Sequence, residues 1–139
     1  MPLQTYAGSC HCGAIRFEAD LDLEEGSNRC NCSYCAKVRA WFTFAKGAER
    51  FRLLDGGGVS EYRWTPPGDA EPHLTFTFCG KCGVRTFARG HLDSLGGTFH
   101  AVSVPALALS PDQFAAIPVR YINGRERRYD EVPAHTEAI

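Results

Sequence analysis

Seven cysteines fall into three groups: Cys10-His11-Cys12, Cys30-Asn31-Cys32-Ser33-Tyr34-Cys35 and Cys79-Gly80-Lys81-Cys82. Gaps of one or two residues between thiols are what metal ligation needs. Zinc takes four ligands in a tetrahedron and favours thiolate in structural sites. The turn Cys79-Gly80-Lys81-Cys82-Gly83 offers two thiolates at once, and its glycines let backbone N–H groups point at sulfur. That is half a site, and Cys10 with Cys12 can supply the other half. The four together would staple two segments that lie 67 positions apart. Such a staple suits a small β-rich domain, where long-range pairing costs chain entropy.

Cys30, Cys32 and Cys35 are then the remainder. Three thiolates leave a tetrahedron open, and an open position is what catalytic zinc keeps for water or substrate. The plainer alternative is that His11, His73, His91, His100 or His135 completes this second site and makes it structural too. Spacing alone does not fix the division. Cys79 and Cys82 could pair with two of Cys30, Cys32 and Cys35, which would leave Cys10 and Cys12 with an odd cysteine.

The rest of the chain restricts the function classes. Its 139 residues fit one domain with one core. The formal charge of -1 lacks the basic excess of a nucleic-acid binder, and zinc-bound thiolates would make the chain more acidic still. No apolar run approaches the roughly 20 residues of a membrane helix. Met1-Pro2-Leu3-Gln4-Thr5-Tyr6 has no basic segment leading into an apolar one, so no secretory signal is expected and a cytoplasmic location is. An odd number of thiols in that setting argues against a disulfide framework.

The elements that must position these thiols read mostly as short strands. Leu3 to Ala7 is one, stopped by Gly8. Gly13 to Asp20 alternates, with Ile15, Phe17 and Ala19 on one face. Glu24 to Asn28 reads as a turn, and Ser33 as the cap of a short helix over Tyr34 to Val38. Trp41 to Ala45 is a strand. Phe51 to Leu54 and Val59 to Trp64 read as a hairpin around Asp55-Gly56-Gly57-Gly58, and Thr65 to Asp69 as a loop. His73 to Phe78 runs into Cys79, Val84 to Arg89 leaves the second pair, and Phe99 to Val104 is a further strand. Ser110-Pro111-Asp112 opens a short helix, and Arg125 to Tyr129 reads as a solvated tail segment. A mainly β single domain is the expected class.

At Gly8-Ser9-Cys10-His11-Cys12-Gly13, at Cys30-Asn31-Cys32-Ser33-Tyr34-Cys35 with Lys37, and at Phe78-Cys79-Gly80-Lys81-Cys82-Gly83-Val84 the chain resembles a known family. It comprises the glutathione-dependent formaldehyde-activating enzymes and the centromere protein V-like proteins. The resemblance covers roughly residues 5–125 and leaves 126–139 as a C-terminal tail. It implies a single-domain β-tent with short helices, stapled by a structural zinc on Cys10, Cys12, Cys79 and Cys82. A catalytic zinc on Cys30, Cys32 and Cys35 makes two zinc ions per chain. It also implies a carbon–sulfur lyase acting on a small thiol adduct such as S-hydroxymethylglutathione, with glutathione or another small thiol as co-substrate. Neither nucleic acid nor membrane is an expected partner.

Three thiolates give zinc a net negative charge before its fourth ligand arrives, which suits it to holding an exogenous thiolate. Asn31 and Tyr34 could touch substrate or only fix the loop. His100 could relay a proton, although a satisfied strand histidine is the simpler reading. Arg85 and Arg89 could bind a carboxylate or form an ordinary polar strand face. Two competing functions remain: a non-catalytic zinc-binding interaction module, and a redox protein using Cys32 and Cys35.

Overall fold

The computed structural model describes residues 3–139; Met1 and Pro2, where the leader reading begins, lie outside the described residues. In chain order the elements are β1 (Gln4–Ser9), β2 (Ile15–Leu21), β3 (Ser27–Cys30), α1 (Ser33–Val38), β4 (Phe42–Lys46), β5 (Phe51–Gly56) and β6 (Val59–Arg63). They continue with β7 (Leu74–Cys79), β8 (Phe87–Leu92), β9 (Gly97–Ser103), α2 (Pro111–Ala115) and β10 (Val119–Ile122). A three-stranded sheet has the order β1-β2-β5, and a seven-stranded sheet the order β10-β3-β4-β9-β8-β7-β6. The expected mainly β class with two short helices is what the chain adopts.

Alternation explains how the sheets face each other. In β2, Ile15, Phe17, Ala19 and Leu21 are buried, while the residues between them are half-buried or exposed. Phe17, Ala19 and Leu21 meet Ala45 of β4, Phe51 of β5, Phe87 of β8 and Val102 of β9 in the core between the sheets. Burying one such Phe contributes about 1.5–3 kcal/mol. The large sheet is covered on its other face too. There Phe76, Ala88 and Ala101 pack against Tyr34 of α1, Phe42 and Trp64.

Four local readings need correction. Gly8 does not stop β1; the strand runs through it because the Phe17 ring lies on its Cα, where a β-carbon would come within 2.2 Å of the ring. Ser27 and Asn28 belong to β3 rather than to a turn, for β3 pairs in parallel with β10. Ser33 is not the cap of α1; Cys32 is, its sulfur accepting the Cys35 N–H. Lastly, β5 and β6 do not form a hairpin. β5 pairs with β2 in the small sheet and β6 with β7 in the large one, so the chain changes sheets across Gly56-Gly57-Gly58. Packing decides this: Phe51 stacks on Phe17 between the sheets, while Val59 packs against the cysteines at the end of β7.

Candidate metal centres

Two clusters of sulfur are built, and they comprise all seven cysteines. The first joins the loop between β1 and β2 to the turn after β7. Cys10, Cys12, Cys79 and Cys82 bring their sulfurs within 4.8 Å of one another. Cys10 and Cys12 sulfurs are 3.7 Å apart, as are those of Cys12 and Cys79. A tetrahedron with metal–sulfur arms of about 2.3 Å has edges of about 3.8 Å, so the donors fit zinc in number, type and spacing.

The backbone around this cluster is shaped for thiolates. Ile15 N–H points at Cys10 sulfur at 3.3 Å, and Lys81 N–H at Cys79 sulfur at 3.4 Å. Gly13 and Gly83 each take the left-handed φ, 82° and 78°, that turns the chain back after its cysteine pair. The Val84 N–H draws Cys82 down to about 6. Cys10 and Cys79 are buried with Ile15, which makes the cluster a small core of its own.

The second cluster joins the end of β3 to α1. β3 delivers Cys30, Cys32 caps the helix, and Cys35 follows on its first turn. Their sulfurs also lie within 4.8 Å of one another. Cys32 N–H points at Cys30 sulfur at 3.4 Å, and Cys35 N–H at Cys32 sulfur at 3.3 Å. Hydrogen bonds from the Cys30 and Cys35 thiols push Cys32 down to about 2, whereas Cys35 is driven up by Cys30 and Cys32 beside it. One thiolate is favoured at its neighbours' expense, so the set can carry three negative charges only around a cation. Among the described residues no fourth cysteine, histidine or carboxylate joins these three. Cys35 is buried while Cys30 and Cys32 are half-buried, so the cluster opens to solvent on the side of Cys30 and Cys32.

Asn31 and Tyr34 fix the loop between these thiols. The Asn31 amide donates to Asn123 Oδ1 at 3.0 Å and accepts the Arg125 N–H at 2.9 Å. Tyr34 packs against Phe76 with ring centroids 4.1 Å apart and planes tilted by 30°, and its hydroxyl accepts from Arg85 Nε at 3.1 Å. Arg89 is paired with Glu61 at 2.6 Å. His11 is exposed between its cysteines and joins neither cluster. His100 does not sit with either cluster. It stacks on Phe51 at 4.1 Å, and its Nδ1 is buried without a partner, so it is neither a relay beside the thiols nor a satisfied histidine.

The sequence reading missed the far side of the second cluster. Arg125 to Tyr129 are exposed, as expected of a solvated segment, yet they do not float free. β10 lies parallel to β3, with Ile122 opposite Cys30, so the residues after it arrive at the cluster. Gly124 touches it: a β-carbon there would lie 2.5 Å from Cys30 sulfur. Arg125 Nε donates to the Asn31 carbonyl at 3.1 Å, and Arg127 donates to the Pro67 carbonyl and the Asp69 carboxylate. The one available signal was Asn123-Gly124, a turn pair directly after a strand.

The family model described as glutathione-dependent formaldehyde-activating enzyme matches residues 5–117. A crystal structure of a Rhodobacter sphaeroides protein superposes with a TM-score of 0.63 at 25% identity, covering 82% of this chain and 99% of that one. Among the described residues no helix is long and apolar enough to cross a membrane.

Proposed function

The chain belongs to the glutathione-dependent formaldehyde-activating enzyme family, and from that premise we propose that it makes and breaks the carbon–sulfur bond between a small thiol and formaldehyde. In the forward direction the sulfur lone pair forms the bond to carbon. The carbonyl pair moves onto oxygen, and the proton lost from the thiol is matched by one gained at that oxygen. The reverse expels the aldehyde. Glutathione is the thiol that the family's description points to.

The division of the seven cysteines carries this reading. Four sulfurs form a complete tetrahedral set, and three form an incomplete one that opens to solvent. Cys10, Cys12, Cys79 and Cys82 would hold a structural zinc, stapling the β-tent that the resemblance implies. Cys30, Cys32 and Cys35 would hold a second zinc, which supplies Lewis acidity that keeps an incoming thiol deprotonated at neutral pH.

The chain's own residues do the positioning. The Cys32 N–H points at the Cys30 sulfur and the Cys35 N–H at the Cys32 sulfur, contacts that favour negative charge on sulfur. Asn31 pins the turn between them, and Tyr34 wedges α1 against Phe76. No histidine joins the cluster among the described residues, so the protons exchange with solvent at its half-buried side. A cytoplasmic setting, where thiols stay reduced, suits this chemistry.

The test separates the two clusters. Cys32→Ser should abolish formation of S-hydroxymethylglutathione and leave the thermal transition cooperative, with one zinc retained per chain. Cys82→Ser should remove the transition itself. Equal loss of folding in both variants would overturn the division of roles.

A further inference from the structure

We infer that the segment from Asn123 to Tyr129 forms one wall of the three-cysteine site, and that Tyr129 is a specificity-determining residue which packs against the carbon skeleton of the bound thiol. The inference rests on the thiol chemistry proposed above. The matched family span ends at residue 117, so that match assigns nothing to this segment.

The cluster opens beside Cys30 and Cys32, and that is where Gly124 lies. A β-carbon on Gly124 would be 2.5 Å from Cys30 sulfur, 3.3 Å from Cys32 Cβ and 3.6 Å from the Tyr129 ring. The ring and the Cys30 sulfur are therefore no further apart than two of those distances added.

Tyr129 is 57% exposed, and its ring lies beside Gly124. It is carried on a segment tied down along its length. Asn123, which is buried, accepts from Asn31 and donates to Glu126 Oε1 at 2.9 Å; its backbone N–H and carbonyl bond Glu131 and Arg128. Arg127 takes φ 60°, a left-handed conformation that a β-carbon resists. It is held there by the Pro67 carbonyl and by Asp69, whose side chain is only 8% exposed and also bonds His73 at 2.7 Å. A segment fixed so firmly, yet holding an aromatic face to solvent beside reactive sulfur, is built to present that face. A large ring ordered by two side-chain torsions is an economical contact for a flexible thiol such as a tripeptide.

Tyr129→Ala and Tyr129→Phe test this in cobalt-substituted protein, where thiol binding is read from the sulfur-to-cobalt absorption band without turnover. Titrations use glutathione, cysteine and 2-mercaptoethanol. The expected result is that Tyr129→Ala weakens glutathione about tenfold and 2-mercaptoethanol less than twofold, with Tyr129→Phe near wild type and the metal-only spectrum unchanged. Equal affinities in wild type and Tyr129→Ala, or equal weakening for all three thiols, would overturn the role. A wild-type protein that binds glutathione but forms no formaldehyde adduct would refute the proposed reaction and leave the Tyr129 assignment standing. A wild-type protein that binds none of the thiols would refute both.

Discussion

Asn31 and Asn123 bond amide to amide at 3.0 Å across 92 residues of chain, and this contact ties the turn between Cys30 and Cys32 to the segment that follows β10. Each amide is used on both sides. Asn31 also accepts from Arg125, and Asn123 donates to Glu126. Asn123 is 5% exposed, so its own amide relies on these partners rather than on water.

Asn123→Ala should therefore destabilise the protein by about 1 kcal/mol, the net worth of the side-chain hydrogen bonds it removes. Urea unfolding would read this as a lower midpoint at unchanged slope. The same variant should release one of two zinc ions to a chromophoric chelator more readily than wild type, because the Cys30–Cys32 turn loses its anchor. The second zinc should be retained as before.

Gly124→Ala should act on metal rather than on folding. Its methyl would meet Cys30 sulfur, the movable end of a side chain, and rotation of that sulfur relieves the clash. Rotation also takes the sulfur out of the cluster. The expected outcome is a stably folded chain with one zinc instead of two, measured by elemental analysis after dialysis. Two tightly held zinc ions in this variant would show that Cys30 is not a ligand.

Gly8→Ala carries the opposite expectation. Its methyl would collide with the Phe17 ring, which is 1% exposed and boxed in by the core between the sheets. Overpacking of this kind costs about 1–3 kcal/mol or more. Thermal unfolding should shift down while the metal content of the folded fraction stays at the wild-type value.

His100 predicts a pH dependence. Burial lowers its pKa to about 4 from an ordinary 6.5, with the positive charge of Arg89 adding to the effect. The fold thus favours the neutral ring. The stability this represents is fully present above 6.5 and is lost as pH falls towards 4, because the unfolded chain takes up the proton first. His100→Phe, which keeps the ring stacked on Phe51, should flatten the stability profile between those values relative to wild type. The difference between the two profiles isolates His100 from the cysteines, which both proteins share.

The sequence disclosed the sulfur clusters and most strand positions because both are local signals. Cys79-Gly80-Lys81-Cys82 is a knuckle wherever it sits, and the alternation through Ile15, Phe17 and Ala19 names a buried face without its partner. Partners were another matter. Phe51 to Leu54 and Val59 to Trp64 flank three glycines and look like a hairpin, but each strand found its mate elsewhere, Phe51 by stacking on Phe17 and Val59 by covering Cys79. β3, Ser27 to Cys30, is short and polar, and its pairing with β10 on one side and β4 on the other makes it a strand. The run Arg125-Glu126-Arg127-Arg128 has the composition of a solvated surface. Its attachments to Asn31, Pro67 and Asp69 are contacts over 58 to 94 residues, which no window of sequence reveals.

The parallel register of β3 and β10 also sets an order in time. A chain leaving the ribosome has made the four-cysteine cluster's last ligand by residue 82, and that cluster can close while synthesis continues. Cys30, Cys32 and Cys35 have emerged earlier still, yet Ile122 and Gly124, which lie against them, come some 90 residues later. The nascent chain thus carries these three thiols without one wall of their site through most of its synthesis, and the proposed reaction centre is completed after the four-cysteine cluster.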